Sequence, residues 1–208
     1  MSFKNLFFPE IKPFPDTKVN KNIKLLRYFV GDTLIVDGLI ESGYIMRHIW
    51  NVGIRKLLPG PYKPKTVLLL GLAGGSNAHL VNNLYPEAEI TAVEIDPLMI
   101  EIGFTYFNLA KVKNLQIVTC DALDFVDGLT NEHYDLVLVD CFVGQEIPKK
   151  LESLDFFKKL KDHSGFTLIN RLWHGKYLPI SQSFVNSLST KFHFVSVFTG
   201  TNLVISLI

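Results

Sequence analysis

The chain has 208 residues, of which 48% are hydrophobic and 20% are charged, and its formal net charge is +1. This length fits one domain with a small appendage, and the apolar fraction is ample for a buried core. The nearly neutral charge argues against nucleic acid or an acidic membrane as a partner. No apolar run approaches the roughly 18 residues of a membrane span, so we expect no membrane association.

The cysteines and histidines exclude two further classes of protein. Two cysteines, Cys120 and Cys141, are too few for a disulfide scaffold and indicate reduced thiols. The first ten residues lack the sustained apolar region of a signal peptide, so we expect a cytoplasmic protein. The six histidines are scattered, with no pair at metal-ligand spacing near the cysteines, and no metal site is expected.

The N-terminal part of the chain predicts an appendage. Residues 1–20 contain three prolines and predict an extended arm, which we expect to be packed by Phe3, Phe7, Phe8 and Phe14. Two apolar runs, 23–30 and 33–36, flank Gly31-Asp32 and predict a β-hairpin, and Asp37-Gly38 predicts a second turn. Helical spacing over 44–58 predicts a connecting helix that Pro59 terminates.

From Lys65 onward, strand and helix patterns alternate, which favours a parallel sheet covered on both faces. The predicted strands are 66–70, 89–94, 115–119, 134–140 and 165–170. The predicted helices are 76–84, 97–107, 122–127, 151–162 and 180–189. Two final apolar runs, 192–198 and 202–207, are joined by only three residues. So short a connection requires antiparallel pairing.

A glycine-rich turn and an acid mark a nucleoside pocket. The first strand runs into Gly71, Ala73, Gly74 and Gly75, and the second ends at Glu94, followed by Ile95. Glycines let the backbone approach a ligand closely, and an acid at that strand end accepts hydrogen bonds from ribose hydroxyls. The alternatives are a tight strand-to-helix turn and a solvated carboxylate. The two features in register favour nucleoside binding.

Two further strands end in acids at the same edge. Asp121, followed by Ala122, can accept from an adenine amino group, and it can also serve as a helix N-cap. Asp140 ends the next buried strand and is the candidate catalytic residue, to orient or deprotonate an amine nucleophile. Its alternative role is to anchor the following loop, which carries Gly144 and Pro148 and could act as a lid. Residues 170–174 follow the fifth strand and are candidates for the rim, although a surface Arg171 is more often solvated.

With these residues, the chain resembles the spermidine synthase family of polyamine aminopropyltransferases, which share the class I S-adenosylmethionine methyltransferase fold. The glycine loop, Glu94, Asp121-Ala122 and Asp140 match its cofactor and catalytic positions, and Glu41 stands where the family usually has Gln. The resemblance implies an α/β, Rossmann-like fold with a mostly parallel seven-stranded sheet, a C-terminal antiparallel strand pair and an N-terminal β-hairpin appendage. We expect residues 1–62 to form the arm, hairpin and connecting helix, and 63–208 the S-adenosylmethionine-binding domain.

The chain departs from the family pattern in the polyamine half of the site. Gly74 replaces an acid that helps hold the amine of decarboxylated S-adenosylmethionine, and Val143 replaces a second acid after Asp140. Residues 50–52 replace a segment that shapes the polyamine site. Fewer carboxylates make a weaker site for a polycation, because desolvated amines need paired acids.

These observations lead to one expectation and three alternatives. We expect a transferase that binds S-adenosylmethionine or its decarboxylated form, uses no metal, and transfers an aminopropyl group to a small amine acceptor. A methyltransferase on an unidentified small molecule is the first alternative, and a non-catalytic nucleoside-binding protein is the second. A nicotinamide-dependent oxidoreductase fits the glycine spacing less well. The resemblance also implies pairing of two copies as a homodimer.

Overall fold

Seven strands form the central sheet of this computed structural model, which describes residues 8–208. In chain order the strands of the protein are β1 (Glu10–Pro13), β2 (Lys24–Tyr28), β3 (Gly31–Val36), β4 (Leu39–Ser42), β5 (Thr66–Leu70), β6 (Glu89–Glu94), β7 (Leu115–Thr119), β8 (Tyr134–Val139), β9 (Ser164–Leu172), β10 (Phe194–Phe198) and β11 (Asn202–Leu207). The helices are α1 (Tyr44–Leu57), α2 (Ser76–Leu84), α3 (Pro97–Tyr106), α4 (Ala122–Asp127), α5 (Leu154–Asp162) and α6 (Leu178–Ser189). Short 3-10 helices lie at Leu109–Lys111, Lys149–Glu152 and Gly175–Tyr177.

The sheet order is β10-β11-β9-β8-β5-β6-β7. Strands β5 to β9 pair in parallel, whereas β11 is antiparallel to both β9 and β10. This confirms the expected α/β fold with a mostly parallel seven-stranded sheet and a C-terminal antiparallel pair. The central strands read as continuous apolar runs because helices cover both faces. Residues of α1 and α2 pack on one face, and residues of α4, α5 and α6 pack on the other.

The register of the central strands aligns their carboxyl ends. Leu70 of β5 pairs with Val93 of β6 on one side and with Val139 of β8 on the other. The three residues that follow these positions, Gly71, Glu94 and Asp140, therefore lie beside one another. Open parallel sheets bind ligands at this edge.

The N-terminal appendage is a four-stranded antiparallel sheet in the order β1-β2-β3-β4. The arm contributes β1, which the sequence did not predict, because its residues lack an alternating pattern and Pro13 lies within the strand. The hairpin turn lies at Phe29-Val30 rather than at Gly31-Asp32, since Tyr28 pairs with Gly31.

The aromatic residues of the arm have different environments. Phe14 packs against Tyr106 with ring centroids 5.9 Å apart, as expected for a packed arm. Phe8 is 78% exposed, so the expectation that it packs the arm is wrong. The prediction for Phe3 and Phe7 lies outside the described residues.

Hydrogen bonds attach the appendage to the glycine-rich turn. The backbone N–H of Gly74 donates to Ser42 Oγ at 2.9 Å, and that of Gly43 donates to Ser76 Oγ at 2.7 Å. Because Glu41 immediately precedes Ser42, this reciprocal pair sets its position at the sheet edge. The expected boundary between residues 62 and 63 stays a prediction.

Most helix boundaries lie within two residues of the prediction, and α5 differs most. The expected helix over 151–162 is divided, because a 3-10 turn ends at Glu152 and α5 begins after Ser153. Ser153 Oγ accepts from the backbone N–H of Phe156 at 3.2 Å, which is the geometry of an N-cap. Within residues 8–208, no helix combines the length and apolar content that a membrane crossing requires.

Candidate active site

The glycine-rich turn brings the chain close to the end of β8. Gly71 has a φ of 89°, and a Cβ at this position would overlap the carbonyl group of Asp140. Only glycine satisfies both conditions. Gly75 also has a positive φ, of 88°, and begins α2. The turn therefore places its backbone directly beside the strand ends that carry the acids.

Glu94 is buried and holds the glycine-rich turn in place. Its Oε2 accepts from the backbone N–H groups of Leu72 (3.1 Å) and Ala73 (2.8 Å), and its Oε1 accepts from that of Asp96 (2.9 Å). A carboxylate has about four lone-pair sites, so these bonds leave one, on Oε1, for a ligand hydroxyl. Desolvation is the main cause that raises the pKa of Glu94, and the three amides partly oppose it.

A first cavity opens at the carboxyl ends of β5, β6 and β8. Among the residues proposed from the sequence, its wall includes Glu41, Gly71, Ala73, Glu94, Ile95, Asp121, Ala122 and Asp140. Gly74 and Gly75 are not part of this wall. Gly74 is instead enclosed, because a Cβ there would lie 2.9 Å from the Phe107 ring and 3.0 Å from Ser42 Cβ. The space that a side chain at position 74 needs is thus occupied by Phe107.

Asp121 has one of the two roles weighed from the sequence, the N-cap, and its position leaves the adenine contact as a prediction. It is the N-cap of α4, where Oδ1 accepts from the Leu123 N–H at 2.8 Å, and it also lies at the wall of the first cavity. Because the cap uses one oxygen, the other is free to accept from a ligand. The adjacent Ala122 is buried against the same cavity.

The N-terminal arm contributes a wall residue that the sequence did not reveal. Asn20 lines the first cavity, and its Nδ2 donates to Asp96 Oδ2 at 2.8 Å. Thr17 Oγ1 donates to the same oxygen at 2.6 Å. Asp96 is also the N-cap of α3, through Oδ1 and the Leu98 N–H. Thr17, Asn20 and Asp96 are polar residues that can be read from the sequence, but no local pattern predicts that they contact one another.

Asp140 lies where the first cavity meets a second one, and three side chains donate to it. Trp50 Nε1 and Asn77 Nδ2 donate to Oδ2 at 2.8 and 3.0 Å, and Asn170 Nδ2 donates to Oδ1 at 2.8 Å. Desolvation raises the pKa of Asp140, and these three hydrogen bonds lower it. One lone-pair site, on Oδ1, is left for a ligand. The arrangement suits a carboxylate held in a fixed orientation.

Glu41 lies at the walls of both cavities, together with Asp140 and Phe142. Its side chain makes no hydrogen bond or ion pair with the described part of the chain. Burial raises the pKa of Glu41 well above its ordinary value, and the charges of Asp140 and Glu94 raise it further. A cation in either cavity would relieve this repulsion.

The second cavity lies between β4, α1, the end of β9 and the turn before β11. Alternate residues of the segment predicted to form the rim, Asn170, Leu172 and His174, face it, in keeping with the two-residue period of an extended chain. Arg171 faces the opposite way and is 3% exposed. It pairs with Glu152 at 2.5 Å, so the expectation of a solvated arginine is wrong.

The two cysteines are free thiols. Burial and the charges of Asp140 and Glu94 raise the pKa of Cys141 well above its ordinary value, and burial also raises the pKa of Cys120. Both thiols stay protonated near neutral pH and are poor nucleophiles. Within residues 8–208, no group of three His, Cys, Asp or Glu side chains is arranged to hold a metal ion.

Sequence comparisons relate the chain to two kinds of transferase. A polyamine aminopropyltransferase of Vibrio vulnificus is 36% identical over 113 residues, which cover 52% of this chain and 38% of that protein. A polyamine aminopropyltransferase of Chromobacterium violaceum is 35% identical over 161 residues, covering 76% and 61%. An eEF1A lysine and N-terminal methyltransferase homolog of Drosophila melanogaster is 46% identical over 110 residues, covering 49% and 16%. The chain therefore spans less than two thirds of these relatives.

Solved structures share the fold at low sequence identity. Spermidine synthase from Thermotoga maritima superposes with a TM-score of 0.69 at 16% identity, covering 93% of this chain and 70% of that chain. Human methyltransferase-like protein 13 in complex with SAH superposes with a TM-score of 0.67 at 21% identity, covering 79% and 82%. The model of the spermine/spermidine synthase domain matches residues 47–164, more than half of the chain. The chain belongs to the spermine/spermidine synthase domain family.

Proposed function

We propose that the protein transfers a carbon group from S-adenosylmethionine, or from its decarboxylated form, to an amine acceptor. The observation that carries this proposal is the meeting of two cavities at Glu41, Asp140 and Phe142. The first cavity would hold the nucleoside and the second the acceptor. Two substrates held in adjoining cavities react as an intramolecular pair, which is the main requirement of a sulfonium displacement.

The first cavity has groups suited to an adenosyl ligand. The remaining lone pair of Glu94 would accept from a ribose hydroxyl, and the free oxygen of Asp121 would accept from the adenine amino group. Ile95 and Met99 supply apolar surface for the adenine ring. The charges of Asp140 and Glu94 contribute to the raised pKa of Glu41, after burial, and a cationic sulfonium beside these three acids would relieve that repulsion.

The reaction has a simple balance. The amine nitrogen forms a bond to the carbon attached to sulfur, the carbon–sulfur bond breaks, and its electron pair stays on sulfur as a neutral thioether. The amine must lose one proton to attack as a free base. We assign this proton to Glu41, because its carboxyl group is not engaged and its pKa is raised. Asp140, held by three donors, would orient the amine through its remaining lone pair.

Replacement of Asp140 tests the acceptor half of this proposal. Asp140→Asn removes the charge that faces the amine and turns an amide N–H toward at least one of the three donors, so at least one of their hydrogen bonds is lost. We expect turnover to fall by about 100-fold or more, in line with the loss of a positioned acid–base group. Methylthioadenosine binding, measured by calorimetry, reports the nucleoside site separately. Unchanged turnover would remove Asp140 from the mechanism.

Methyl transfer is the second candidate, and the enclosure of Gly74 favours it. The acid that would hold the amine of decarboxylated S-adenosylmethionine has no space at position 74, because Phe107 occupies it. The Drosophila relative described as an eEF1A lysine and N-terminal methyltransferase homolog also supports methyl transfer to an amine.

One experiment separates the two reactions. The protein is incubated with each cosubstrate and a panel of amines, and the nucleoside product is identified by mass spectrometry. Methylthioadenosine indicates aminopropyl transfer, whereas S-adenosylhomocysteine indicates methyl transfer. Calorimetry with the two cosubstrates gives their relative affinities. Binding of both without turnover of any amine would contradict a transferase and favour a non-catalytic nucleoside-binding protein.

A further inference from the structure

Among the described residues of its wall, the second cavity carries acidic side chains at one end only. Its two acids, Glu41 and Asp140, lie where it meets the first cavity. Its third ionisable group is His174, a base that offers no counter-charge to an ammonium. Much of the remaining wall consists of aliphatic side chains from β4, α1 and β9, namely Ile40, Ile45, Met46, Ile49 and Leu172.

The polar side chains of this wall are bonded to one another in a chain that ends at Asp140. Thr201 Oγ1 donates to Asn202 Oδ1 at 2.7 Å, and Asn202 Nδ2 donates to Asn170 Oδ1 at 2.9 Å. Asn170 Nδ2 then donates to Asp140 Oδ1 at 2.8 Å. Both side-chain carbonyl oxygens of these asparagines therefore already accept a hydrogen bond. This series of hydrogen bonds orients Asp140, and the side chains that precede Asp140 in it are uncharged.

We propose that the acceptor carries a single ammonium at the end of a hydrocarbon stem, and that diamines and polyamines are poor acceptors. The inference rests on the proposed function, since it assigns the substrate class of the same site. The ammonium would lie between Glu41 and Asp140, and the stem would extend along Ile40, Ile49 and Leu172. Apolar walls favour burial of methylene groups. A second ammonium on that stem would find no carboxylate among the described residues of this wall, whereas a methyl group there would gain apolar contact.

The chemistry of a single ammonium on a hydrocarbon stem has two sources. A free alkylamine presents it, and so does the side chain of a lysine in a protein. Both place one charge at the end of a stem of methylene groups. The cavity walls distinguish either of them from a diamine, and the experiment below includes a ligand for each source.

Two ligands of equal length test the proposal. Hexylamine and 1,6-diaminohexane differ only in the second terminal ammonium. Each is titrated by calorimetry into protein saturated with methylthioadenosine. We expect hexylamine to bind more tightly by roughly tenfold, because the apolar wall offers contact to a terminal methyl group and no counter-charge to a second ammonium. Tighter binding of the diamine, or no binding of either amine, would overturn the inference. A prior titration of methylthioadenosine into the ligand-free protein tests the nucleoside half independently.

A third ligand identifies the source of the amine. Nα-acetyl-lysine methylamide presents the lysine stem with both backbone ends blocked. Affinity equal to that of hexylamine would support the inference and assign the site to lysine side chains. Tighter binding of hexylamine would support the inference with a free alkylamine as acceptor. If both monoamines bound more weakly than 1,6-diaminohexane, the inference would be contradicted.

A charge added to the apolar wall supplies a gain-of-function test. Ile45 is 46% exposed and lies in the first turn of α1, where Glu is compatible with the helix. Ile45→Glu should shift the preference toward 1,6-diaminohexane, and Ile45→Gln should not. Tyr44→Glu is the matched control, because Tyr44 is 74% exposed and is not part of this wall. An equal shift in Ile45→Glu and Tyr44→Glu would mean that general charge, not the cavity, sets the preference.

Discussion

Glu41 is a residue of the appendage that lies in the walls of both cavities, beside acids of the central sheet. Ser42, which follows Glu41, accepts a hydrogen bond from the glycine-rich turn. The carboxyl group of Glu41 is close enough to Asp140 and Glu94 for their charges to affect its pKa. Burial and these like charges raise its pKa, so the group takes up a proton more readily than an exposed acid. This is the property that a proton acceptor for an amine requires, because its pKa moves toward neutrality.

We therefore expect Glu41→Gln to reduce turnover by about 100-fold or more, the usual contribution of a positioned acid–base group. In the wild type, kcat should fall as the pH is lowered through the raised pKa of Glu41, since the protonated acid cannot accept a proton. This acidic limb should weaken in the variant. Measurement of kcat against pH checks both points. Glu101→Gln, on the exposed face of α3, is the control, and an identical profile in Glu41→Gln would exclude the role.

Gly74 shows how a single residue departs from a family pattern together with its neighbours. A Cβ at this position would lie 2.9 Å from Phe107 and 3.0 Å from Ser42. An acidic side chain at position 74, where the spermidine synthase family has one, would therefore require a change in its neighbours as well. We expect Gly74→Asp to lower the free energy of unfolding by about 1 to 3 kcal/mol, the usual cost of overpacking.

Urea denaturation of four variants measures this effect. Gly128→Ala is the control, because a Cβ there would meet only ordinary contacts, the nearest at 3.4 Å. Combination of Gly74→Asp with Phe107→Ala should be less destabilising than the sum of the single variants, since the two changes share one space. Strict additivity would mean that Phe107 does not limit position 74.

At the scale of elements, the arm before β2 is tied to the nucleoside side of the sheet. Asn20 and Thr17 both donate to Asp96, which is 1% exposed and caps α3. Each hydrogen bond to a buried carboxylate contributes about 1.5 to 3 kcal/mol. The arm is therefore held at the cavity by two polar side chains, of which Asn20 lines the wall, in addition to the packing of Phe14 against Tyr106.

We expect Asn20→Ala to weaken methylthioadenosine binding by about tenfold, which corresponds to about 1.4 kcal/mol. The same change should speed hydrogen exchange at the amides of Phe14 and Thr17, which bond to the Ile23 and Asn20 carbonyls. Lys18→Ala, at an exposed position of the same arm, should change neither quantity. Exchange that is unaffected by Asn20→Ala would show that the arm is held by other contacts.

The strands and helices could be predicted because their signals are local. The strand before Gly71 is an apolar run bounded by a turn, and the final pair is joined by three residues, so length alone required antiparallel pairing. The boundary of α5 was missed because Ser153 is a cap inside a segment that otherwise reads as helix. The turn at Phe29-Val30 was missed because neither residue is a typical turn former.

The candidate site was predictable where residues follow strand ends. Glu94, Asp121 and Asp140 all line the first cavity, because parallel strands end at one edge. Asn20 was not identified, and Asn170 was a candidate only for the rim. The three donors to Asp140, Trp50, Asn77 and Asn170, could not be recognised as a set, since they belong to separate elements that meet only through the sheet order. The placement of Glu41 and Asp140 together at one end of the second cavity depends on the same kind of long-range contacts.

At the scale of the whole molecule, several carboxyl groups lie in the walls of the two adjoining cavities. No lysine or arginine is among the described residues of these walls. Burial raises the pKa values of Glu41, Glu94 and Asp140 above their ordinary values of 4.5 for Glu and 3.8 for Asp. The folded state therefore binds more protons than the unfolded state above these values. It follows that their contribution to stability decreases as the pH rises through the raised pKa values. His79 acts in the opposite direction, because burial lowers its pKa from 6.5, and its contribution rises with pH.

A cationic ligand should reverse the part of this dependence that belongs to the site. S-adenosylmethionine carries a sulfonium together with an ammonium and a carboxylate and has a net positive charge, whereas methylthioadenosine shares the nucleoside and is neutral. The increase in Tm caused by S-adenosylmethionine should grow as the pH rises through the raised pKa values of Glu41, Glu94 and Asp140, since these acids then become negatively charged. The increase caused by methylthioadenosine should depend less on pH. Because His79 and all distant groups affect both complexes, the difference between the two ligands isolates the cavity acids. Glu41→Gln should reduce that difference, and a difference that is constant with pH would mean that these carboxyl groups do not interact with the sulfonium.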